Sequence, residues 1–486
     1  MRWTIQQVAH ALGVTPPAGL DPVARLAGVS IDSRSVAAGE LFIAIHGPRH
    51  DGHGFVEQVL SAGAGAAVVA SAKFTAYPAD VREKLFAVPE TLAALQQLAH
   101  EIRTEWGGRV AAVAGSVGKT TTKEILAALV AAKFRVLKTE GNLNNEYGLP
   151  LTLAKLEPSH EAAVIELGMS RRGELARLTK IAAPQIGVIT RVAVEHLEFF
   201  ADVDEIALAE RELIENLPGR DTVSVLNADD ERVMRMEAVA PGRVVTFGIG
   251  AAAEFRAEEI EDRGAEGSAF TFVAPEGRAR LALSLVGRHN VTNALGALAA
   301  ASIWGIGARE AAEVLPRMKP AAMRGEVLHF AEGFTVINDC YNSSPAAMAS
   351  MIDLLANTPG YRRRILASGE MLELGATSAE LHAESGRYAA AKKIDWIIGV
   401  QGASAEFVRA AVTAGAQAAQ AKFFATSAEA AEFISAMAKA GDLILVKGSR
   451  GVRMERVVEA LRAKHALRDA SAAEVTGDVN SQAGRH

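Results

Sequence analysis

The run VAAVAGSVGKTTT, Val110 to Thr122, carries five apolar residues straight into a glycine-bracketed loop and then into a helix-forming segment. An apolar run of this length reads as a buried strand, and the order strand, loop, helix is the setting in which a phosphate-binding loop works. Gly115 and Gly118 let the backbone amides of Gly115, Ser116, Val117 and Gly118 wrap phosphate oxygens, with the N-terminus of the next helix behind them. Lys119 then reaches the β and γ oxygens of a nucleoside triphosphate, the Thr120 hydroxyl is placed to ligate Mg²⁺, and Thr121 belongs to the same ATP-binding loop. Val113 stands where the general pattern has a glycine, so the loop is a shortened Gly-x-x-Gly-Lys-Thr-Thr variant.

Outward from this loop the chain alternates apolar runs with helical stretches, at Val110–Ala114, Val164–Leu167, Ile186–Thr190, Thr222–Leu226 and Val244–Phe247. That alternation predicts a mostly parallel sheet with helices on both faces. Between Glu254 and Val286 it gives way to strand-like runs at Ser268–Val273 and Leu281–Leu285, which read as an antiparallel hairpin insert. An Ala-rich helix over Asn290–Trp304 follows, then a hinge bracketed by Pro316 and Pro320. From Glu326 a second alternation begins, with strands at Thr335–Asn338, Arg364–Ala367, Trp396–Val400, Lys422–Ala425 and Leu443–Val446, and predicts a Rossmann-like domain. Upstream, the opening residues form a small α/β unit with a helix over Thr4–Leu12 and strands at Leu41–Ile45 and Ala66–Ala70; a helix over Thr91–Trp106 links it to the phosphate-loop sheet. The expected fold is therefore α/β in three domains, residues 1–88, 89–317 and 318–466, with 467–486 a small, polar, aperiodic tail that reads as disordered.

Composition agrees. At about 150 residues per domain, 486 residues hold about three. With 49% hydrophobic and 22% charged residues the chain is that of a globular protein, and 51 Lys and Arg against 57 Asp and Glu leave a net charge of −6. Such a balance offers no general attraction to nucleic acid or anionic lipid. Cys340 stands alone, so neither an internal disulfide nor a zinc cluster is available, and a reducing cytoplasm is the expected setting. No signal-like apolar core opens the sequence, and no run approaches the ~18 apolar residues of a membrane span.

A phosphate loop needs further metal ligands, and Glu166 ends a buried strand at the sheet edge where ligands bind; the bland reading is a solvated Glu. His196 follows Ile186–Thr190 at the same edge, although a lone loop His is more often structural. Two asparagine-rich segments stand out, GNLNNEYGLP over Gly141–Pro150 and GRHNVTN over Gly287–Asn293. Turn chemistry accounts for many such asparagines, yet Asn290 and Asn293 share a helix face from which their amides could read an adenine edge.

The ordered set GSVGKTTTK, GNLNNEYGLP, IELGMS, EHLEFF, LNADD, GRHNVTNALGA, MRGE, NDCYNSSPAAM, GEMLELG and VKGSRG resembles the ATP-dependent Mur ligases of peptidoglycan synthesis across nearly all of residues 25 to 460. The last motifs look most like the member that adds a D-alanyl-D-alanine dipeptide. The resemblance implies an N-terminal domain for the UDP-N-acetylmuramoyl-tripeptide, a central domain for ATP and Mg²⁺, and a C-terminal domain that brings D-alanyl-D-alanine. The chemistry it implies is an acyl phosphate formed on the peptide carboxylate and then attacked by the amine. It assigns Ser30, Asp32, Ser33, Arg34, Arg49, Asp51, Asn142 and Asn145 to the UDP-substrate. To ATP and catalysis it assigns Lys119, Glu166, His196, Asn290, Asn293, Asp339 and Arg324, the last brought onto ATP when the domains close. Tyr341, Asn342 and Lys447 fall to the amine substrate, and Thr120, Glu166 and His196 to the metal.

Two positions depart from the pattern. Many members carry a carbamylated lysine beyond the metal-binding His, and Glu210 occupies that register here, either as a replacement carboxylate near the metal or as a plain surface acid. Ser344 stands where close relatives have Asn. A monomer is expected. A sister ligase adding a single amino acid, to the peptide or to folate, and a non-ligating nucleotide-binding protein remain the alternatives.

Overall fold

The computed structural model describes residues 3–47, 50–250 and 252–468. By their internal contacts they divide into two units. The first holds the chain up to Val192 with Ala207–Phe255 and Ala294–Glu310; the second holds Ala193–Ile206, Arg256–Asn293 and the chain from Ala311 on. The expected N-terminal and central domains thus share one unit, while the loop around His196 and the insert group with the C-terminal residues.

The first unit opens with helix Ile5–Leu12, whose Thr4 and Gln7 form a reciprocal capping box. The small sheet has four parallel strands in the order β1-β2-β3-β4, namely Val29–Ser30, Leu41–Ile43, Ala66–Ala70 and Leu85–Val88. Helix Thr91–Trp106, capped by the Glu90 carboxylate, then leads to the larger sheet. Its strands in this unit are β5 (Arg109–Ala114), β6 (Val136–Lys138), β7 (Ala162–Glu166), β8 (Ile186–Ile189), β9 (Val223–Asn227) and β10 (Arg243–Gly248). They lie in the order β10-β9-β8-β5-β7-β6, and every pair among them is parallel. All but one of the β5 residues and all of the β7 residues are buried, as strands covered on both faces must be. The order reverses between β5 and β8, so the loop after β5 sits where open α/β sheets bind ligands.

In the second unit, β11 (Phe255–Asp262), β12 (Ser268–Ala274) and β13 (Gly277–Leu283) form an antiparallel meander, one strand more than the expected hairpin. β11 escapes the hydrophobic pattern because its outer positions carry Arg256, Glu258 and Glu261: Glu258 pairs with Arg256 in its own strand and with Arg278 of β13, and Glu261 pairs with Arg280 of β13. A register shift lies between Glu258 and Glu261. The C-terminal sheet has β14 (Glu326–His329), β15 (Thr335–Asp339), β16 (Arg363–Gly369), β17 (Trp396–Val400), β18 (Ala421–Phe424) and β19 (Asp442–Lys447), in the order β14-β15-β19-β16-β17-β18. Only β14 runs antiparallel. An apolar cluster containing Phe330, Phe334, Ile444 and Val458 and another containing Ile352, Leu366, Phe407 and Leu445 supply its core.

Pro316 lies in a short 3₁₀ turn, Leu315–Arg317, behind a helix Ala308–Val314 that the sequence reading missed. The Ser284 hydroxyl donates to the Met318 carbonyl at 2.6 Å, so the expected hinge is tied at its centre. Leu467, expected to begin a disordered tail, instead bridges Phe330, and the tail beyond Arg468 lies outside the described residues.

Candidate active site

Around the phosphate loop the local fold follows from two glycines. Gly115 has φ of +121°, and a Cβ there would come within 2.3 Å of Thr190 Oγ1, so no other residue lets β5 turn into the loop beside β8. The Thr190 hydroxyl donates to the Val117 carbonyl at 2.7 Å, and Ser116 N–H donates to the Arg191 carbonyl at 2.7 Å. Gly118, also left-handed at φ 93°, occupies the N-cap of helix Lys119–Val130 with no side-chain cap. The first-turn amides of that helix are therefore available to an anion, with the helix dipole behind them. Lys119 curls over the loop, Nζ donating to the carbonyls of Gly115 at 2.5 Å and Ser116 at 3.3 Å. Thr120 is buried and Thr121 half-buried in the first turn.

Two buried carboxylates flank this loop. Glu166 pairs with Val113 in the register of β5 and β7, which sets it beside the loop's entry. Its Oε1 accepts from Asn144 Nδ2 at 2.7 Å, whereas its Oε2 is buried without a partner. Glu210 is 2% exposed and its Oε2 accepts the Gly115 N–H at 2.8 Å, so the surface-acid reading of Glu210 is excluded. Burying two carboxylates beside an anion site is costly unless a cation joins them. Among the described residues no three His, Cys, Asp or Glu side chains gather as a metal cluster. Mg²⁺ on a nucleotide does not need one, because it takes one or two carboxylates, a hydroxyl and phosphate oxygens. The orphaned Glu166 oxygen and the Thr120 hydroxyl fit that demand.

Asn144 is the residue the sequence reading passed over in GNLNNEYGLP. Gly168 leaves room for it, since a Cβ there would lie 2.9 Å from the Asn144 amide nitrogen. Thr139 steadies Glu166 from the backbone side, its hydroxyl accepting the Glu166 N–H at 3.0 Å. The buried Lys123 ammonium in turn donates to the Thr139 carbonyl at 2.8 Å. Asn145 caps the next helix, accepting from Tyr147 N–H and Gly148 N–H, and Asn142 accepts the Asn144 N–H through its carbonyl. These are turn roles.

The expected UDP-substrate residues of the small sheet are held largely by one another. Ser30 and Asp32 exchange hydrogen bonds, and Asp32 takes a bidentate grip from Arg34 at 2.9 and 2.7 Å. The guanidinium brings the Asp32 carboxyl down to about 2, while the Arg34 side chain stays 86% exposed. Ser33 lies half-buried in the same turn. Asp51 accepts from Lys73 Nζ at 2.5 Å and from His53 Nδ1 at 2.6 Å, and these contacts hold its carboxyl well below the usual range. Both Asp51 oxygens brace the loop, with His53 Nε2 accepting the Ala70 N–H. Arg49 lies outside the described residues.

In the second unit, Arg324 stacks on Tyr341 with its guanidinium carbon 4.1 Å from the ring centre. Lys447 is buried, donating to Asp339 Oδ2 at 2.6 Å and to the Asn342 carbonyl at 2.9 Å. Two of the three donors of its ammonium are thereby spent on the loop that the resemblance assigns to the amine substrate. His289 lies near this pair, and burial pushes its imidazole below its ordinary value. Asn293 and Asn290 do share a face, but Asn293 Nδ2 donates to Asn290 Oδ1 at 2.9 Å and Asn290 Nδ2 to the Val286 carbonyl at 2.8 Å. Each amide thus spends one of its two N–H donors in the helix start. Ser344 sits at the N-cap of helix Pro345–Asn357 without a side-chain cap bond. His196 Nδ1 bonds Glu373 Oε2 at 2.6 Å, and this hydrogen bond holds the Glu373 carboxyl below the usual range.

Comparison with known proteins agrees with this arrangement. The Mur ligase family catalytic domain matches residues 25–103, the Mur ligase middle domain residues 113–301, and the Mur ligase glutamate ligase domain residues 323–450. The UDP-N-acetylmuramoyl-tripeptide--D-alanyl-D-alanine ligase of Bacillus subtilis is 35% identical over 434 residues, 89% of this chain and 93% of its own. Its namesake in Escherichia coli is 34% identical over 441 residues, covering 90% and 94%. A crystal structure of MurF from Acinetobacter baumannii superposes with a TM-score of 0.85 at 30% identity, over 96% of this chain and 99% of that one. MurF ligase from Thermotoga maritima, in complex with ADP, gives 0.78 at 28% identity over 90% and 97%.

Proposed function

The chain belongs to the Mur ligase family, and from that premise we propose that it joins D-alanyl-D-alanine to UDP-N-acetylmuramoyl-tripeptide while ATP is cleaved to ADP and phosphate. The observation that carries the chemistry is the phosphate loop itself, with Lys119 over it and the partnerless Glu166 oxygen at its side. Amide formation from a carboxylate is uphill in water, so the peptide carboxylate is first made electrophilic. One of its oxygens attacks the γ-phosphorus, the bond between that phosphorus and the β–γ bridging oxygen breaks, and ADP leaves with the acyl phosphate formed. Lys119 and the first-turn amides of helix Lys119–Val130 offset the negative charge that gathers there. Thr120, Glu166, Glu210 and His196 would hold Mg²⁺, which would supply further charge neutralisation on the phosphates.

The dipeptide amine then attacks the acyl carbon, and the tetrahedral adduct expels phosphate and loses a proton to give the amide. Arg324 serves the nucleotide in this reading, with Tyr341 stacked beneath it as the link to the amine loop at Asn342. Every substrate is charged and water-borne, and no described helix is long and apolar enough to cross a membrane. The proposal accordingly places the reaction in the cytoplasm, carried out by a single chain. Phosphate release from ATP with UDP-N-acetylmuramoyl-tripeptide tests it. D-alanyl-D-alanine should drive release at least tenfold faster than any single amino acid, and equal or faster release with one amino acid overturns the assignment.

A further inference from the structure

The motif LNADD, Leu226–Asp230, has no part in the mechanism above, yet its side chains hold the segment that backs the phosphate loop. Asn227 ends β9 with its side chain buried; its Nδ2 donates to the Thr190 carbonyl at 2.7 Å and its Oδ1 accepts the Asp229 N–H at 3.0 Å. Asp230 takes the other end of the segment, its Oδ2 accepting the Val192 N–H at 2.8 Å. The Thr190 N–H is committed as well, to the Ala114 carbonyl of β5 at 3.0 Å.

The segment so held grips the phosphate loop twice. Ser116 N–H donates to the Arg191 carbonyl at 2.7 Å, and Thr190 Oγ1 lies 2.7 Å from the Val117 carbonyl and 3.2 Å from that of Ala114. A threonine hydroxyl has one proton, and the shorter contact marks the Val117 carbonyl as its main acceptor. A trans peptide is planar, with its C=O and N–H on opposite edges. Drawing the Val117 carbonyl toward Thr190 therefore turns the Gly118 N–H away from β8. Gly118 is the N-cap of helix Lys119–Val130, so this N–H joins the amides that the helix start offers to an anion. Gly118 has no Cβ to resist a flip of that peptide, so its orientation is set by the Thr190 hydroxyl rather than by the backbone's own preference.

We propose that Thr190 is a positioning residue for the nucleotide: its hydroxyl, mounted by Asn227, holds the Val117–Gly118 peptide so that the Gly118 N–H is aimed at the phosphates before the nucleotide arrives. A donor aimed in advance needs no reorganisation on binding, and the saving appears as affinity. The inference rests on the phosphate-loop reading given under the proposed function.

The test uses the full chain labelled with ¹⁵N-glycine and titrated with ADP in the presence of EDTA. In the wild type the Gly118 amide signal should move, and its exchange with solvent should slow, as ADP binds. Thr190→Val keeps the branched shape and removes the proton, so ADP should bind about tenfold to hundredfold more weakly, the range for one hydrogen bond to a charged group, with UDP-N-acetylmuramoyl-tripeptide affinity within about twofold. In the same variant without nucleotide, the Gly118 signal should shift as its peptide samples both orientations. Thr190→Ser retains the hydroxyl and should recover most of the ADP affinity. Asn227→Ala loosens the mount and leaves the hydroxyl, so its loss of ADP affinity should fall between those of the two Thr190 variants. Unaltered ADP affinity in Thr190→Val or in Asn227→Ala overturns the proposal, and so does an equal loss for ADP and the UDP-substrate, which would mark general damage to the sheet edge. A wild-type Gly118 signal that ignores ADP would defeat the phosphate-loop reading too, whereas the same response in wild type and Thr190→Val defeats the positioning role alone.

Discussion

After β5 the chain turns into a cradle of backbone amides, bent by Gly115 and Gly118 and lidded by one lysine; after β15, β16 and β19 it turns into loops pinned to each other by side chains. Both sets lie at the carboxyl ends of parallel strands, where α/β sheets bind ligands. They differ in what the binding groups also do for the fold. Lys119 lies over the loop and donates to its Gly115 and Ser116 carbonyls, whereas Lys447 is a buried cross-link between two strands and a loop. A backbone cradle keeps its chemistry separable from stability. A side-chain lattice joins the two.

Substituting the two lysines tests that contrast most strongly. Lys119→Ala should lower ligation by about 10³-fold, as loss of a principal charge-stabilising donor does, with the melting temperature within a degree or two of wild type. Phosphate release and thermal melting measure both, and activity within tenfold of wild type would break the comparison. Lys447→Met should do the reverse in stability, leaving the Asp339 carboxylate half-buried and unpaired at a cost of about 3 kcal/mol, the low end for a broken buried pair. Denaturant unfolding followed in the C-terminal residues reads that loss, and a wild-type midpoint would show that the lattice is not what holds these loops.

A smaller effect sharpens the description of the cradle. Glu210→Gln keeps an oxygen for the Gly115 N–H and removes only the charge, so turnover should fall about tenfold and the Mg²⁺ requirement rise, with little change in stability. The wild-type enzyme should be indifferent to added bicarbonate, because Glu210 already supplies a carboxylate; stimulation by bicarbonate would count against that role. The smallest effect belongs to the small sheet. The Asp32 carboxyl is lowered in the folded chain, so any stability it lends is present above 3.8 and is lost as the pH falls toward about 2. Arg34→Ala should return the Asp32 titration toward 3.8 by carboxyl NMR, with scarcely any change in unfolding because the pair is exposed.

The cradle was legible in the sequence because its signal is local: an apolar run, two glycines and a lysine within a dozen residues report a strand, a turn and a charge together. The lattice was not. Asp339 and Lys447 are 108 residues apart, and His196 and Glu373 are 177 apart, so no spacing within either motif announces the contact. Nothing local to Lys447, which the resemblance assigns to the amine substrate, shows whether its ammonium turns outward or inward at the end of a buried strand. Asn144 was overlooked among neighbours of the same type, since what distinguishes it is the Glu166 oxygen 22 residues on. Two of the missed strands share a cause: β6 and β14 are three and four residues long and carry charged or polar ends, so the apolar pattern is too brief to register.

The final described residues have a consequence for how this chain tolerates shortening. β14 is an outer strand of the C-terminal sheet, and the returning chain lies along its end: Ala331 N–H donates to the Ala466 carbonyl at 2.9 Å, Leu467 bridges Phe330, and Arg468 N–H donates to the His329 carbonyl at 2.8 Å. Unpaired amides and carbonyls on an outer strand are a template for another polypeptide. Those three residues act as a selvedge, the finished border that stops a woven sheet from being extended by its neighbour. A chain cut before Ala466 would keep every ligand-facing group and lose the border, and its characteristic failure would be edge-to-edge self-association rather than loss of chemistry.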